Sequence, residues 1–188
     1  MSSTASKLNI VVAACNNMGI GIEGGLPWRL KQDMAFFRKI TTLTKTAGKK
    51  NIVIMGKNTW LSIPPKFRPL SDRINVVLST QMQTIEGAYL VKSFDKALEL
   101  FDTLNNDVES VFVIGGASVY KEAMQRPNPC RIYITRVHGD FTCDTFFPDI
   151  DKDIFKKVPH TVDENVPVEM CEDNGITFSF EIYEKLLE

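Results

Sequence analysis

Two stretches of this 188-residue chain place the tightest limit on what it can fold into. Ile52-Val53-Ile54-Met55 and Val111-Phe112-Val113-Ile114 are apolar at every position, and each ends directly in glycine. Neither has a face that could be left to water. Such a run suits a strand covered on both sides, as in the middle of a parallel sheet with helices on each face. Strand-like runs at 8–14, 51–55, 74–79, 110–114, 131–137 and 177–184 alternate with helical patterns at 30–42, 59–63, 94–104 and 117–125. That alternation predicts an α/β fold on a mainly parallel sheet flanked by helices. Asp173-Asn174-Gly175 followed by alternating Phe178, Phe180 and Ile182 adds a C-terminal antiparallel hairpin, so the sheet is mixed.

A chain of this length that is 44% apolar can bury a core of its own, so one domain over 1–188 is expected, with 1–6 as a flexible tail. Lys plus Arg number 22 against 23 Asp plus Glu, for a net charge of -1, which gives no field to attract nucleic acid or an acidic membrane. Cys15, Cys130, Cys143 and Cys171 lack any C-x-x-C spacing, and His138 and His160 have no neighbouring ligand in sequence, so no metal site is expected. No segment approaches the ~18 apolar residues of a membrane span. Cytoplasmic residence with reduced thiols follows as the expectation.

Gly19-Ile20-Gly21-Ile22-Glu23-Gly24 fits the G-x-G-x-x-G dinucleotide fingerprint, but Gly25-Leu26-Pro27-Trp28 continues as loop where that motif must open a helix. The segment is expected to be a glycine-rich loop, able to act as a lid. More telling are Ile54-Met55-Gly56-Lys57-Asn58-Thr59 and Val113-Ile114-Gly115-Gly116-Ala117-Ser118, where an apolar strand runs through glycine into a helix start. Each could be a tight turn that merely needs glycine. Together they also suit the anionic bridge of a dinucleotide lying across the strand ends, with Lys57 near a phosphate.

On a helical wheel, Leu30, Met34, Phe36, Phe37 and Ile40 share one broad face, and Asp33 falls inside that apolar arc. A carboxylate there needs a partner, and desolvation should raise its pKa. It could be a helix-start carboxylate answering the dipole. It could equally face a flat, cationic or amidine-like heterocycle.

Met18-Gly19-Ile20-Gly21, Leu26-Pro27-Trp28, Asp33, Met55-Gly56-Lys57-Asn58-Thr59-Trp60 and Ile114-Gly115-Gly116 follow one another as in the dihydrofolate reductase family, which the chain resembles from about Leu8 to Lys185. The resemblance implies NADPH-dependent reduction of 7,8-dihydrofolate to tetrahydrofolate by a monomer, and binding of antifolate inhibitors. By the same resemblance Asp33 holds the pteridine 2-amino and N3 edge, Thr135 supports that carboxylate, Trp28 positions a water, and Leu26 belongs with them at the catalytic centre. Val11, Val12, Met34, Phe37, Arg38, Ile63, Leu70, Ile114 and Tyr120 are implied to wall the substrate, with Arg73 pairing its glutamate tail. On sequence alone Arg73 reads as a surface arginine at a strand start.

Cofactor contacts are implied for Ala13, Gly19, Ile20, Gly21, Gly24, Gly25, Gly56, Lys57, Asn58, Thr59, Leu78, Gly115, Gly116, Ala117, Ser118, Val119 and Tyr120. Ser79, Thr80 and Lys92 are implied to lie at the adenosine 2′-phosphate. Asp33 stands where vertebrate members have Glu, Thr80 where many have a basic residue, and Phe67 where the family has a polar one. A pyrimidine reductase of the riboflavin pathway and a non-catalytic folate or nucleotide binder are the rival readings.

Overall fold

The computed structural model describes residues 6–187. Most of the expected tail, 1–5, lies outside the described residues, while Ser6 is tied down by its carbonyl, which accepts from Asn128 Nδ2 at 2.9 Å. In chain order the first half comprises β1 (Leu8–Ala14), β2 (Gly19–Gly21), α1 (Lys31–Thr42), β3 (Lys50–Gly56), α2 (Lys57–Ser62), β4 (Arg73–Leu78) and β5 (Tyr89–Val91). There follow α3 (Phe94–Thr103), β6 (Val108–Gly115), α4 (Ala117–Gln125), β7 (Cys130–His138), β8 (Thr145–Phe146), β9 (Phe155–Val158), β10 (Cys171–Asp173) and β11 (Ile176–Lys185).

The main sheet runs β10-β11-β7-β1-β6-β3-β4-β5, with β9 added to β11. Its six strands from β7 to β5 are parallel, and β9, β10 and β11 are antiparallel additions. The two all-apolar runs become β3 and β6, which pair with each other in the interior of the sheet. Their side chains alternate between two cores, as strand geometry requires. Ile52, Ile54, Val111 and Val113 meet Phe94, Leu98, Ala123 and Met124 of α3 and α4 on one face. Val53, Met55 and Phe112 meet Phe36, Ile40 and Trp60 of α1 and α2 on the other. Fully burying each of these side chains contributes about 1.5–3 kcal/mol, which is why no polar position was tolerated in either run.

The expected hairpin forms, with Asp173 opposite Ile176 across Asn174 (φ 53°) and Gly175 (φ 74°). Positive φ at both loop residues is the primed turn that matches strand twist, and Asn-Gly adopts it readily. This turn also reaches the start of α1. Asp173 Oδ2 accepts from the Lys31 amide at 2.6 Å, and Asn174 Nδ2 donates to the Arg29 carbonyl at 2.7 Å. The N-cap residue Leu30 has no side chain able to cap, so a carboxylate from the distant hairpin satisfies one of the orphan amides.

Several boundaries differ from the expectation. The helix expected over 59–63 begins at Lys57, because Gly56 itself serves as N-cap. Short β2, β5, β8, β9 and β10 carry too few residues for a period to show. The glycine-rich segment is more than a loop, since Gly19–Gly21 pairs with Thr145–Phe146. Met34 leaves the buried face of α1 and is 57% exposed.

Candidate active site

A cleft of about 1580 Å³ crosses the carboxyl ends of β1, β3, β4, β6 and β7, where an open α/β sheet binds ligands. The first turn of α1 projects Asp33 toward it, and β7 brings Thr135 from the opposite side. Thr135 Oγ1 donates to Asp33 Oδ1 at 2.6 Å. Asp33 is half-buried, and desolvation raises its carboxyl above the ordinary value, while the Thr135 hydroxyl pulls the other way. The result is an acid anchored through one oxygen, with its second oxygen carrying no protein hydrogen bond among the described residues.

Beside it, a smaller hollow of about 340 Å³ is lined by Leu26, Trp28, Arg29, Leu30, Asp33 and Met34. Trp28 stands edge-on to Phe141, with ring centroids 5.3 Å apart, and its buried Nε1 has no hydrogen-bond partner among the described residues. An indole N–H so placed is an available donor next to the carboxylate. Leu26, 60% exposed, covers the same corner.

At the far end the two glycine-terminated strands come together. A Cβ on Gly115, where φ is +133°, would lie 3.1 Å from Thr59 Oγ1 and 3.4 Å from the Tyr120 hydroxyl. One on Gly56 would lie 3.3 Å from Val119 Cγ2. Side chains at these two positions would fill the space between the starts of α2 and α4, neither of which has a side-chain cap. Glycine therefore leaves backbone amides facing a groove, the arrangement that receives a pyrophosphate. Farther along, Lys57 Nζ donates to Gln81 Oε1 at 3.0 Å, and Ser79 Oγ accepts from the amides of Gln81 (3.1 Å) and Met82 (3.0 Å). Ser79 thus builds the turn that carries Thr80 and Gln81 to the cleft, and its amide donates to the Val91 carbonyl at 3.0 Å, which sets Lys92 beside it.

The family model for dihydrofolate reductase matches residues 7–185. The chain belongs to the dihydrofolate reductase family. It is 47% identical to the Bos taurus dihydrofolate reductase over 183 residues, covering 95% of this chain and 97% of that one. With the Heliothis virescens dihydrofolate reductase it shares 45% identity over 186 residues, 96% of this chain and 98% of that one. The solved Schistosoma mansoni dihydrofolate reductase superposes with a TM-score of 0.83 at 42% identity, covering 96% of this chain and 98% of that one.

Within this family framework, nearly every residue singled out in the sequence lines the one cleft. Val11, Val12, Ala13, Met34, Phe37, Arg38, Ile63, Leu70 and Ile114 line it with Asp33, as do Ile20, Gly21, Gly24, Gly25, Asn58, Leu78, Gly116, Ala117 and Ser118. Met34 is exposed because it faces this opening rather than the core. Tyr120 is only 4% exposed, and its hydroxyl donates to the Val11 carbonyl at 2.8 Å. Burial pushes that hydroxyl far above its ordinary pKa, so it acts as a neutral donor joining α4 to β1.

Two positions depart from expectation. Gly19 is not among the described residues that line the cleft: a Cβ there would come within 2.3 Å of Cys143 Sγ, so this glycine makes room for that neighbour. Arg73 is not a surface arginine. It is buried, donating to the Ser71 carbonyl (2.8 Å) and Thr41 Oγ1 (3.0 Å), with its guanidinium 5.9 Å from the Phe37 ring centroid. It has no ion-pair partner among the described residues, and desolvation lowers its pKa. Arg38, by contrast, is exposed and lies 3.7 Å from Asp72. Gln81, Ser93 and Glu122 join the lining without any signal in the sequence. Phe67, at the rim, is 58% exposed with the Lys66 ammonium 4.9 Å from its ring centroid.

Proposed function

We propose that this chain reduces 7,8-dihydrofolate to 5,6,7,8-tetrahydrofolate with NADPH, and that the expected site residues carry out that reaction. The observation that carries the assignment is the Thr135-anchored Asp33 carboxylate in the same cleft as the paired glycine cradle. Asp33 takes the 2-amino and N3 donors of the pterin, and Thr135 fixes the carboxylate for that bidentate contact. Trp28 Nε1 orders a water beside it. The raised pKa of Asp33 lets it favour protonation at N5 through the pterin and nearby water, without touching N5.

Arg73 pairs with the glutamate tail. The amides around Gly56 and Gly116, with Lys57, Asn58, Thr59 and Ser118, hold the pyrophosphate, and Ser79 with Lys92 holds the 2′-phosphate. NADPH when bound supplies the hydride that C6 receives. Leu26 and the Gly21–Gly25 loop exclude water over the reacting ring. Antifolates with a protonated 2,4-diamino head belong to the same reading, pairing with Asp33.

A cytoplasmic monomer is part of the same proposal. Among the described residues no helix is long and apolar enough to cross a membrane, and all four cysteines are free. The test is loss of reduced-nicotinamide absorbance from folded protein on adding dihydrofolate. Binding of both ligands without turnover would leave a non-catalytic binder. Oxidation of NADPH driven by a ribosylated pyrimidine in place of dihydrofolate would favour the riboflavin-pathway enzyme.

A further inference from the structure

Outside the cleft, two thiols meet at the root of the glycine-rich loop. Cys15 follows the last residue of β1 and Cys143 stands two residues before β8, yet their Sγ atoms lie 4.0 Å apart. The segments that carry them are pinned by backbone hydrogen bonds: Cys15 N to Gly19 O at 3.0 Å, Asp144 N to Gly21 O at 2.9 Å and Phe147 N to Met18 O at 2.8 Å. Gly19 lies beneath Cys143, and the 2.3 Å that would separate a Gly19 Cβ from Cys143 Sγ means that only glycine lets this thiol cross β2 toward Cys15. Cys15 is 2% exposed and Cys143 is half-buried, so one thiol is open to a reagent and the other waits behind it.

We propose that Cys15 and Cys143 form a reversible disulfide that fastens the loop over the cleft and slows turnover. Bond formation requires the sulfurs to close from 4.0 Å to the ~2.05 Å of a disulfide. The oxidant is a low-molecular-weight disulfide. Cys143 loses its proton to solvent and attacks one sulfur of that disulfide, forming a mixed disulfide and releasing one thiol. Cys15 then gives up its proton, attacks Cys143 Sγ and displaces the second thiol. Two protein sulfurs lose two electrons in all, and the oxidant leaves as two thiols.

The cross-link acts on the loop because β2 leads straight into Ile22, Gly24, Gly25 and Leu26, all of which line the cleft. Fastening β1 to the segment before β8 removes the freedom of β2 to part from β8, and loop opening commonly limits product release. The effect on turnover rests on the reductase reading above; the cross-link itself does not.

The test treats the full chain carrying Cys130→Ser and Cys171→Ser with glutathione disulfide. Expected are a loss of two hydrogen masses, a Cys15–Cys143 peptide pair in an unreduced digest, slower protease cleavage within residues 19–26, and a several-fold fall in kcat that dithiothreitol reverses. Adding Cys143→Ser, or Cys15→Ser, should abolish all four. A mixed disulfide on Cys143 with no cross-link overturns the proposal, as does a cross-link that changes neither cleavage nor kcat. If the reduced protein has no dihydrofolate-dependent turnover, the reductase reading fails, while digest and cleavage still decide the disulfide.

Discussion

Asp33 feels two opposing influences, and desolvation outweighs the Thr135 hydroxyl, leaving the folded-state pKa above the unfolded one. Such a group favours folding fully below its unfolded pKa, and that contribution is lost as pH rises through the folded pKa. At neutral pH the ionised acid therefore weighs against the unliganded fold. Asn at this position keeps an oxygen to accept from Thr135 and removes the charge, so Asp33→Asn should be as stable as the parent or more so at pH 7 in denaturant melts. Its dihydrofolate turnover should fall by orders of magnitude, with a residual rate that rises toward acid pH as solution protonation takes over. A clearly less stable variant with near-normal turnover would make Asp33 a structural helix-start carboxylate. The position of this acid on an apolar arc was legible from the helical period alone. Its partner was not, because Thr135 is 102 residues away and nothing local marks it. Arg73 misleads a local reading for the same reason: its burial comes from Thr41 and Phe37, two turns of a helix far upstream. Arg73→Lys keeps the charge but loses the planar fork, and hydrogen bonds to charged groups contribute about 1.5–3 kcal/mol. KM for dihydrofolate should rise about 10- to 100-fold with little change in kcat, and a pterin substrate lacking the glutamate should show no such shift.

At the level of elements, what reads through from the sequence is whatever a single strand or helix must satisfy alone. β3 and β6 had to be central because both their faces are apolar, and Asn174-Gly175 had to turn because both residues accept positive φ. What two elements satisfy jointly stays hidden, as when Asp173 of the hairpin caps α1, or when β2 finds β8. The junction of β6 with α4 is such a joint property, and it is open to test. Gly115→Ala forces a side chain into φ +133° and toward Thr59 Oγ1 and the Tyr120 hydroxyl. Strain of this kind costs about 1–3 kcal/mol. The variant should melt at lower denaturant concentration and bind NADPH more weakly than the parent, whereas Gly48→Ala, also at positive φ but with no neighbour within 4 Å, should lose stability without weakening NADPH binding. Equal losses of affinity in the two would mean that the cradle is only a strained turn.

Across the whole molecule the net charge of -1 conceals an uneven distribution. The cleft is lined by five cations, Arg38, Lys57, Lys66, Arg73 and Lys92, against two carboxylates, Asp33 and Glu122. A concave wall with an excess of one sign focuses potential, so it should raise the encounter rate of anionic ligands even though the chain as a whole is slightly acidic. Both proposed ligands are anions, and NADPH carries one phosphate more than NADH. Raising ionic strength from 0.01 to 0.15 M shortens the screening length from about 30 Å to about 8 Å, which leaves direct contacts largely intact and removes the steering. kcat/KM for NADPH should therefore fall over that range, and fall more steeply than for NADH. Lys92 is exposed and lines the same cleft as Ser79 and Thr80, so Lys92→Ala should reduce both the salt slope for NADPH and the preference for NADPH over NADH. Lys121→Ala, on the exposed side of α4 and outside the cleft lining, serves as the control of equal charge change. If Lys92→Ala and Lys121→Ala shift the NADPH slope alike, the overall charge governs encounter; if only Lys92→Ala does, the cleft's own field selects the cofactor.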